Sequence, residues 1–308
     1  MYNSEIYLGR CLESIASQNF SDIEIVLIND CSSGKDEKGR GCRRIARSFQ
    51  RKSKLPLVYI EHFHHIPLLE TRRQLVEQSH GQYIFMLDSD DLLAENALQT
   101  LYASAINTGA DITCGVECIY SIKDNKVEYS EKHYSLHKEG FYKDREVFDQ
   151  FLIQRNCTGF LWAKLIKRDL YLKAFSEIPF IDCSFSEDTL IYFFVSYFGK
   201  SYCAIKDVVY YHLLNYGVSA VSSIKDLKSW RRHCTSSSVY AFLLSYEGDF
   251  TEEERAYTQR LSRTCLRDTI LLLRKTVVPE LYDDAYEMLC NYWGKSYVQN
   301  IEARIDEK

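Results

Sequence analysis

Hydrophobic residues follow two rhythms along this chain. From Ile6 through Leu8, Cys11, Leu12 and Ile15 they recur at three- and four-residue steps, which predicts an amphipathic helix with Ser4 as its N-cap. They then bunch into short runs at residues 23–28 and 57–60, which predict strands, with a solvated, Lys- and Arg-rich helix and linker over 35–54 between them. A helix over 67–79 with Pro67 near its start, a strand at 83–87, a helix over 94–107 and a strand at 111–116 continue the alternation. Strand and helix in alternation over about the first 120 residues predict an α/β fold, a mostly parallel sheet flanked by helices.

Beyond that point the rhythm loosens. Residues 118–142 read as a hairpin or irregular insertion, 143–154 as a helix, and 162–166 as a short strand. Helices are predicted over 169–175 and 188–198, and a strand over 208–212, followed by the polar loop 215–219. From about 225 the chain is helical and charged, with Leu261, Cys265, Leu266, Ile270 and Leu273 on one stripe.

The densest chemistry lies in Tyr83-Ile84-Phe85-Met86-Leu87-Asp88-Ser89-Asp90-Asp91-Leu92-Leu93, where an apolar run meets three carboxylates. Such a run predicts a strand buried on both faces, and the polar end of a strand in an open α/β sheet faces the ligand side. Clustered carboxylates repel one another unless a cation or a hydrogen-bonding ligand joins them. Hard oxygen donors suit Mg²⁺ or Mn²⁺, which take one or two protein carboxylates and complete their shell with phosphate and water. Taken alone, Asp-x-Asp reads equally well as a solvated turn whose aspartate caps the next helix.

Composition narrows the class. With 46% apolar and 26% charged residues the chain is globular, and its net charge of −5 argues against a nucleic-acid binder that works by neutralising phosphate. The 11 cysteines are odd in number and irregularly spaced, and Cys114 and Cys118 have no second ligand pair at zinc-finger spacing, so reduced thiols of a cytosolic protein are expected. His62, His64 and His65 have no acidic or cysteine neighbour beside them and read as ordinary loop histidines. Residues 1–20 lack the basic region and apolar core of a signal peptide, and the longest apolar run, 189–198, is about half a bilayer span. A soluble or surface-associated protein is the expectation.

One ordered series remains: Tyr2-Asn3, Ile28-Asn29-Asp30-Cys31-Ser32, Arg72, Gly81-Gln82-Tyr83-Ile84, the aspartate stretch, Leu161-Trp162-Ala163-Lys164-Leu165, Ser186-Glu187-Asp188, and Tyr210-Tyr211-His212 with Gly217-Val218-Ser219. Over roughly residues 1–223 this series resembles the family 2 glycosyltransferases, enzymes of the GT-A fold that use nucleotide-sugar donors. The resemblance implies a GT-A-like domain over 1–223, with a nucleotide-sugar-binding half at 1–120 and an acceptor-side half at 121–223, and a helical region over 224–308. It implies that Tyr2 stacks on the nucleotide base and Asp30 hydrogen-bonds to it. Arg72 holds the nucleotide, Asp88 contacts the ribose with Ser89 beside it, and Asp90 binds the metal bridging the donor phosphates. Asp188 is then the general base, with Glu187 and Trp162 on the acceptor side, and His212 lies where the closing loop nears the diphosphate and its metal. An inverting, metal-assisted transfer follows, with Mn²⁺ or Mg²⁺ as cofactor, a UDP-sugar as donor and a glycan or lipid-linked glycan of a bacterial surface as acceptor. The location implied is cytoplasmic or peripheral at the inner membrane face. Read from its position alone, Asp188 is equally an acid favoured by the dipole at a helix N-terminus.

The chain also departs from that family. An apolar strand ending in a Pro-x-Tyr-Asn-like turn normally precedes the first helix, whereas this chain opens on Met1-Tyr2-Asn3. Lacking that strand, its neighbours are expected to expose backbone groups. Thr71, Arg73 and Leu75 stand where the family favours small residues and a glycine, and Ala163 stands where an Asn is common. A rival reading is therefore a truncated relative that binds nucleotide without turnover. A nucleotidyltransferase lacks support, because no Gly-rich, Lys-containing phosphate loop occurs near the N-terminus. The C-terminal helices are candidates to dock a partner, a membrane surface or a second copy of the chain. Arg260, Arg263, Arg267 and Arg274 permit a membrane face there, and a solvated face is the plainer reading.

Overall fold

The computed structural model describes residues 1–123, 126–133, 138–214 and 223–307, so the loop 215–219 with Gly217-Val218-Ser219 lies outside the described residues. In chain order the elements are α1 (Glu5–Ala16), β1 (Ile25–Asn29), α2 (Cys42–Lys52), β2 (Leu57–Glu61), α3 (Leu68–Gln78), β3 (Tyr83–Phe85), β4 (Leu92–Leu93) and α4 (Ala97–Thr108). Next come β5 (Ile112–Lys123), β6 (Lys126–His133), β7 (Gly140–Lys143), α5 (Arg145–Leu152), β8 (Lys164–Lys167), α6 (Arg168–Glu177), α7 (Glu187–Phe198) and β9 (Ser201–Leu213). Five helices follow: α8 (Leu227–Cys234), α9 (Ser236–Ser245), α10 (Glu252–Thr276), α11 (Tyr282–Trp293) and α12 (Lys295–Asp306).

The chain divides into two compact units. The first comprises Met1–Ile66, Glu70–Pro179 and Ile191–Tyr216, and the second comprises Pro67–Leu69, Phe180–Leu190 and Gly217–Lys308. This differs from a single boundary at 223, because residues 180–190, which carry Glu187 and Asp188, group with the C-terminal helices.

Within the first unit an α/β architecture is present, but its strands are not mostly parallel. β1 and β2 pair in parallel as a sheet of their own. The larger sheet runs β3-β8-β5-β9-β4, with β6 on β5 and β7 on β9, and only its β5–β9 pairing is parallel. The reason is the β5–β6 hairpin and the return of β8 and β9, which the loosened pattern beyond residue 120 did not resolve into directions. β3 is also shorter than the run 83–87 suggested and sits at one end of the strand order, so only Ile84 of its three residues is buried. At β1, Met1 takes up pairing that a strand would make: its amino group donates to the Ile28 carbonyl at 2.6 Å, and its carbonyl accepts from Asp30 N at 2.9 Å.

Helical periodicity explains the packing against these sheets. Leu8 and Leu12 of α1 and Cys42, Ile45, Ala46 and Phe49 of α2 fall at helical spacing and close over Ile25 and Leu27 of β1. Ala97, Leu98, Leu101 and Ala105 of α4 pack on Leu93, Leu165, Val209 and Tyr210. Each such Leu contributes about 2 kcal/mol when fully buried. Ser4 stands at the N-cap of α1, but its side chain makes no capping bond; its hydroxyl lies 2.6 Å from that of Ser89 instead.

The second unit is helical. Trp230, Cys234, Leu266, Ile270, Leu273, Leu289, Val298 and Ile301 form its core. Thr251 and Glu254 close a capping box at the start of α10, satisfying two otherwise unpaired N–H groups. Arg260, Arg263, Arg267 and Arg274 are exposed, and Arg274 pairs with Glu302 and Asp306. All eleven cysteines are free thiols. Among the described residues no helix is long and apolar enough to cross a membrane.

Candidate active site

Two polar clusters stand at strand ends of the first unit. The first is built on Asp30, immediately after β1. Its Oδ1 meets His62 Nδ1 at 2.7 Å and accepts from the Ile66 N–H at 3.2 Å, while its Oδ2 meets His65 Nδ1 at 2.6 Å. Two of the histidines read as ordinary loop residues, His62 and His65, therefore do have an acidic partner, from more than thirty positions upstream. His62 is fixed further through Nε2 to Gln74 Oε1 at 2.8 Å. Tyr2 is 39% exposed and its ring lies 4.4 Å from that of His65. Asn3, in a left-handed conformation, accepts from Ser33 N and Gly34 N and so shapes the loop after Asp30. A ligand reaching Asp30 would have to displace its own histidine partners, of which His65 is the more open at 41% side-chain exposure.

The second cluster is the connection between β3 and β4, which carries all three aspartates. A turn bond from Asp91 N to the Asp88 carbonyl, 3.1 Å, brings their backbones together. Asp91 is 1% exposed and fully engaged: it accepts from Tyr210 Oη at 2.6 Å, from His212 Nδ1 at 3.1 Å and from Leu213 N at 2.7 Å. Sequence reasoning did not give Asp91 a role; the signal was the Asp-Asp doublet taken with the Tyr-Tyr-His run that supplies two of its donors. Tyr120 Oη donates to the Asp90 carbonyl, and Ser89 is held by Ser4. The turn is thus tied to α1, β5 and β9 by contacts other than the carboxylates of Asp88 and Asp90.

Those two carboxylates differ. Asp88 has 42% side-chain exposure and lies 3.6 Å from the guanidinium of Arg72, a residue 8% exposed. Burial, followed by the charges of Asp91 and Asp88, pushes the Asp90 carboxyl up to about 7. His212 is also raised: burial opposes its charged form, but the hydrogen bond to Asp91 and the charges of Asp91, Asp88 and Asp90 outweigh that. His212 is therefore already bound through Nδ1.

Trp162, expected on the acceptor side, is 6% exposed. It stacks on Phe160 at 4.6 Å, on Tyr210 at 5.4 Å and on His212 at 5.9 Å. A ring so enclosed shapes the site through Tyr210 and His212. Its stack holds in register the two side chains that grip Asp91.

Glu187 and Asp188 belong to the second unit, in the first turn of α7. Glu187 is 5% exposed, and Asp188 Oδ1 accepts from Thr189 N at 2.7 Å. Ser186 precedes them at φ +68°, a left-handed backbone that a non-glycine residue adopts at some cost and that turns the chain sharply into the helix.

The donor set can be tested against a divalent cation. Among the described residues no group of three or more His, Cys, Asp or Glu side chains is placed to hold a metal unaided. Two carboxylates of one turn, one of them raised by burial and then by its acidic neighbours, do fit a hard cation that brings phosphate and water with it.

The family described as Glycosyl transferase family 2 matches residues 1–170. Glycosyltransferase GlyA of Streptococcus pneumoniae is 29% identical over 56% of this chain and 24% of its own length. The cholesterol galactosyltransferase of Borreliella burgdorferi is 26% identical over 65% of this chain and 58% of its own. The chain thus spans about a quarter of one relative and under three-fifths of the other. Among solved structures, S. aureus TarS 1–349 in complex with UDP-GlcNAc superposes with a TM-score of 0.60 at 18% identity, covering 97% of this chain and 90% of that one.

Proposed function

Because this chain belongs to glycosyl transferase family 2, we propose that it moves a sugar from a UDP-sugar to a hydroxyl of a glycan or lipid-linked glycan, with inversion at the anomeric carbon. The observation that carries this reading is the Asp88–Asp90 pair: two carboxylates set in a turn anchored by other side chains, one of them pushed up to about 7 by its surroundings. Such a pair is costly unless a cation joins it. TarS binds UDP-GlcNAc, and one relative is named for a lipid acceptor, which supports the donor and acceptor classes.

In this reading Tyr2 offers its exposed ring to the base beside Asp30, Arg72 and Asp88 hold the nucleoside, and Ser89 keeps the turn in place. Asp90 with Asp88 holds Mn²⁺ or Mg²⁺, which as a Lewis acid supplies stabilisation of the charge on the departing diphosphate. His212, bound to Asp91 through Nδ1, steadies the turn from which Asp90 projects. Asp188 accepts the proton of the attacking hydroxyl, and Glu187 assists on the acceptor side. A single base acting on the attacking hydroxyl corresponds to a single displacement and hence inversion, by the logic of inverting glycoside hydrolysis with a sugar hydroxyl in place of water.

The test is UDP release across a panel of UDP-sugars with and without Mn²⁺, paired with calorimetry of UDP binding. Metal-dependent release from at least one donor supports transfer. Tight UDP binding with no donor turned over favours a nucleotide-binding relative without catalysis, and absence of both removes the nucleotide reading altogether.

A further inference from the structure

Positive charge is concentrated at α2 in a way that sugar transfer does not use. Residues 38–54 hold eight Lys and Arg and no carboxylate. Setting those eight charges apart from the net of −5 leaves −13 on the rest of the chain. The helix turns its apolar side, Cys42, Ile45, Ala46 and Phe49, into the core, and Arg43, Arg44, Arg47, Arg51 and Lys52 outward. Arg43, Arg47 and Arg51 follow at four-residue steps and so share a face about 12 Å long. Arg43 pairs with Glu61; among the described residues no ion pair neutralises Arg44, Arg47, Arg51 or Lys52.

Two features give this face more than charge. Arg43, Ala46, Arg47, Gln50 and Tyr59 line a cavity of about 240 Å³, in which the Arg43 guanidinium lies 5.9 Å from the centre of the Tyr59 ring. Arg43 is engaged by Glu61 and Gln50 donates to the Leu57 carbonyl at 2.9 Å, so Arg47 is the guanidinium this hollow offers to a phosphate ester. Phe63, two residues along the chain from the Glu61 that Arg43 grips, is 99% exposed. A wholly exposed phenyl ring gains nothing from water or from a dissolved polyanion.

We propose that this face of the first unit docks on a bilayer carrying anionic phospholipid, with the α2 arginines on headgroup phosphates and Phe63 entering the interfacial layer. The apolar side of α2 is committed to the core, so the helix rests on the surface without inserting, and attraction is mainly electrostatic with one aromatic anchor. The rest of the chain carries net negative charge, so the stretch around α2 is the part such a surface attracts. Nothing in this docking depends on the sugar-transfer reading.

The experiment is co-sedimentation of the full chain with vesicles of phosphatidylcholine alone or mixed with phosphatidylglycerol. Binding is expected only to the mixed vesicles and to fall as salt is raised. Arg47→Gln lowers the partition about fivefold, and Arg44→Gln with Arg47→Gln and Arg51→Gln about a hundredfold. Phe63→Ala weakens binding without altering its salt dependence. Arg260→Gln with Arg263→Gln, on α10, leaves binding unchanged. All substituted side chains are exposed, and an unaltered circular dichroism spectrum and unfolding midpoint certify each variant; the single Arg47→Gln variant carries the test should the triple one fail to fold. Equal binding to neutral vesicles, no binding to either kind, an undiminished Arg47→Gln variant, loss on changing α10 instead, or tighter binding to duplex DNA than to the vesicles would each overturn the proposal.

Discussion

His212 Nδ1 stands 3.1 Å from Asp91 Oδ2, and through this pair the last strand of the first unit grips the turn from which Asp88 and Asp90 project. Tyr210, one pleat earlier on the same face of β9, donates to the same oxygen, and Trp162 stacks on both rings. The buried carboxylate of Asp91 thus anchors the turn that carries the half-buried Asp90 and the more open Asp88.

Replacing Asp91 should therefore cost stability before it costs chemistry. Asp91→Ala leaves the Tyr210 hydroxyl, the Leu213 N–H and His212 without their acceptor, and breaking a buried pair from one side costs about 3 kcal/mol. Urea unfolding measures it. A midpoint unchanged in Asp91→Ala would show that the turn is held by other contacts.

Asp90 predicts a pH dependence of opposite sign with and without cation. Its folded carboxyl is raised from the usual 3.8 to about 7, so the folded protein keeps a proton that the unfolded chain has released over that window. The stability this contributes is fully present below the unfolded value and is lost as pH rises through about 7. A divalent cation must displace the same proton, so Mn²⁺ affinity in the presence of UDP should rise as pH climbs to about 7 and then level off. Calorimetry in two buffers of different ionisation enthalpy reads the proton release directly. In Asp90→Asn both the release and the pH slope should vanish; a slope that persists would place the titrating group elsewhere.

The elements were legible where periodicity alone decides them. The faces of α1 and α2, the runs that became β1 and β2, and the stripe of Leu266, Ile270 and Leu273 on α10 follow from spacing. Strand direction was not legible, because β8 and β9 owe their place in the sheet to partners far along the chain. The same limit hid the site's supports. Asp30 draws its histidines from 32 and 35 positions away, Asp91 finds His212 121 positions later, and Ser4 joins Ser89 where a helix cap was expected. Residue types announced the chemistry; only folding supplied each carboxylate's partner, and with it the difference between the anchored Asp91 and the open Asp88.

Gly115 marks the tightest approach behind that support. A Cβ there would lie 2.6 Å from both γ-carbons of Val209 and 3.0 Å from the Asp207 carbonyl, at the point where the β5–β9 register shifts. Gly115→Ala should cost about 2 kcal/mol by overpacking, and because Val209 precedes Tyr210 the displacement reaches the hydroxyl that holds Asp91. The expected result is a lowered unfolding midpoint together with weakened cation-dependent UDP binding. A variant as stable as the parent would mean that the bulge absorbs the methyl group.

Asp188 separates binding from chemistry. It lies in the first turn of α7, where its Oδ1 accepts from Thr189 N. Asn at this position preserves size and the bond from Thr189 but has almost no basicity. If Asp188 takes the proton of the attacking hydroxyl, Asp188→Asn should lower kcat by about 10²- to 10⁴-fold while UDP affinity stays within twofold of the parent. A purely capping acid would give the reverse pattern, with unaltered turnover and a modest loss of thermal stability. Measuring transfer and UDP affinity on the same preparation therefore decides between the two, and retained transfer would remove Asp188 from the mechanism.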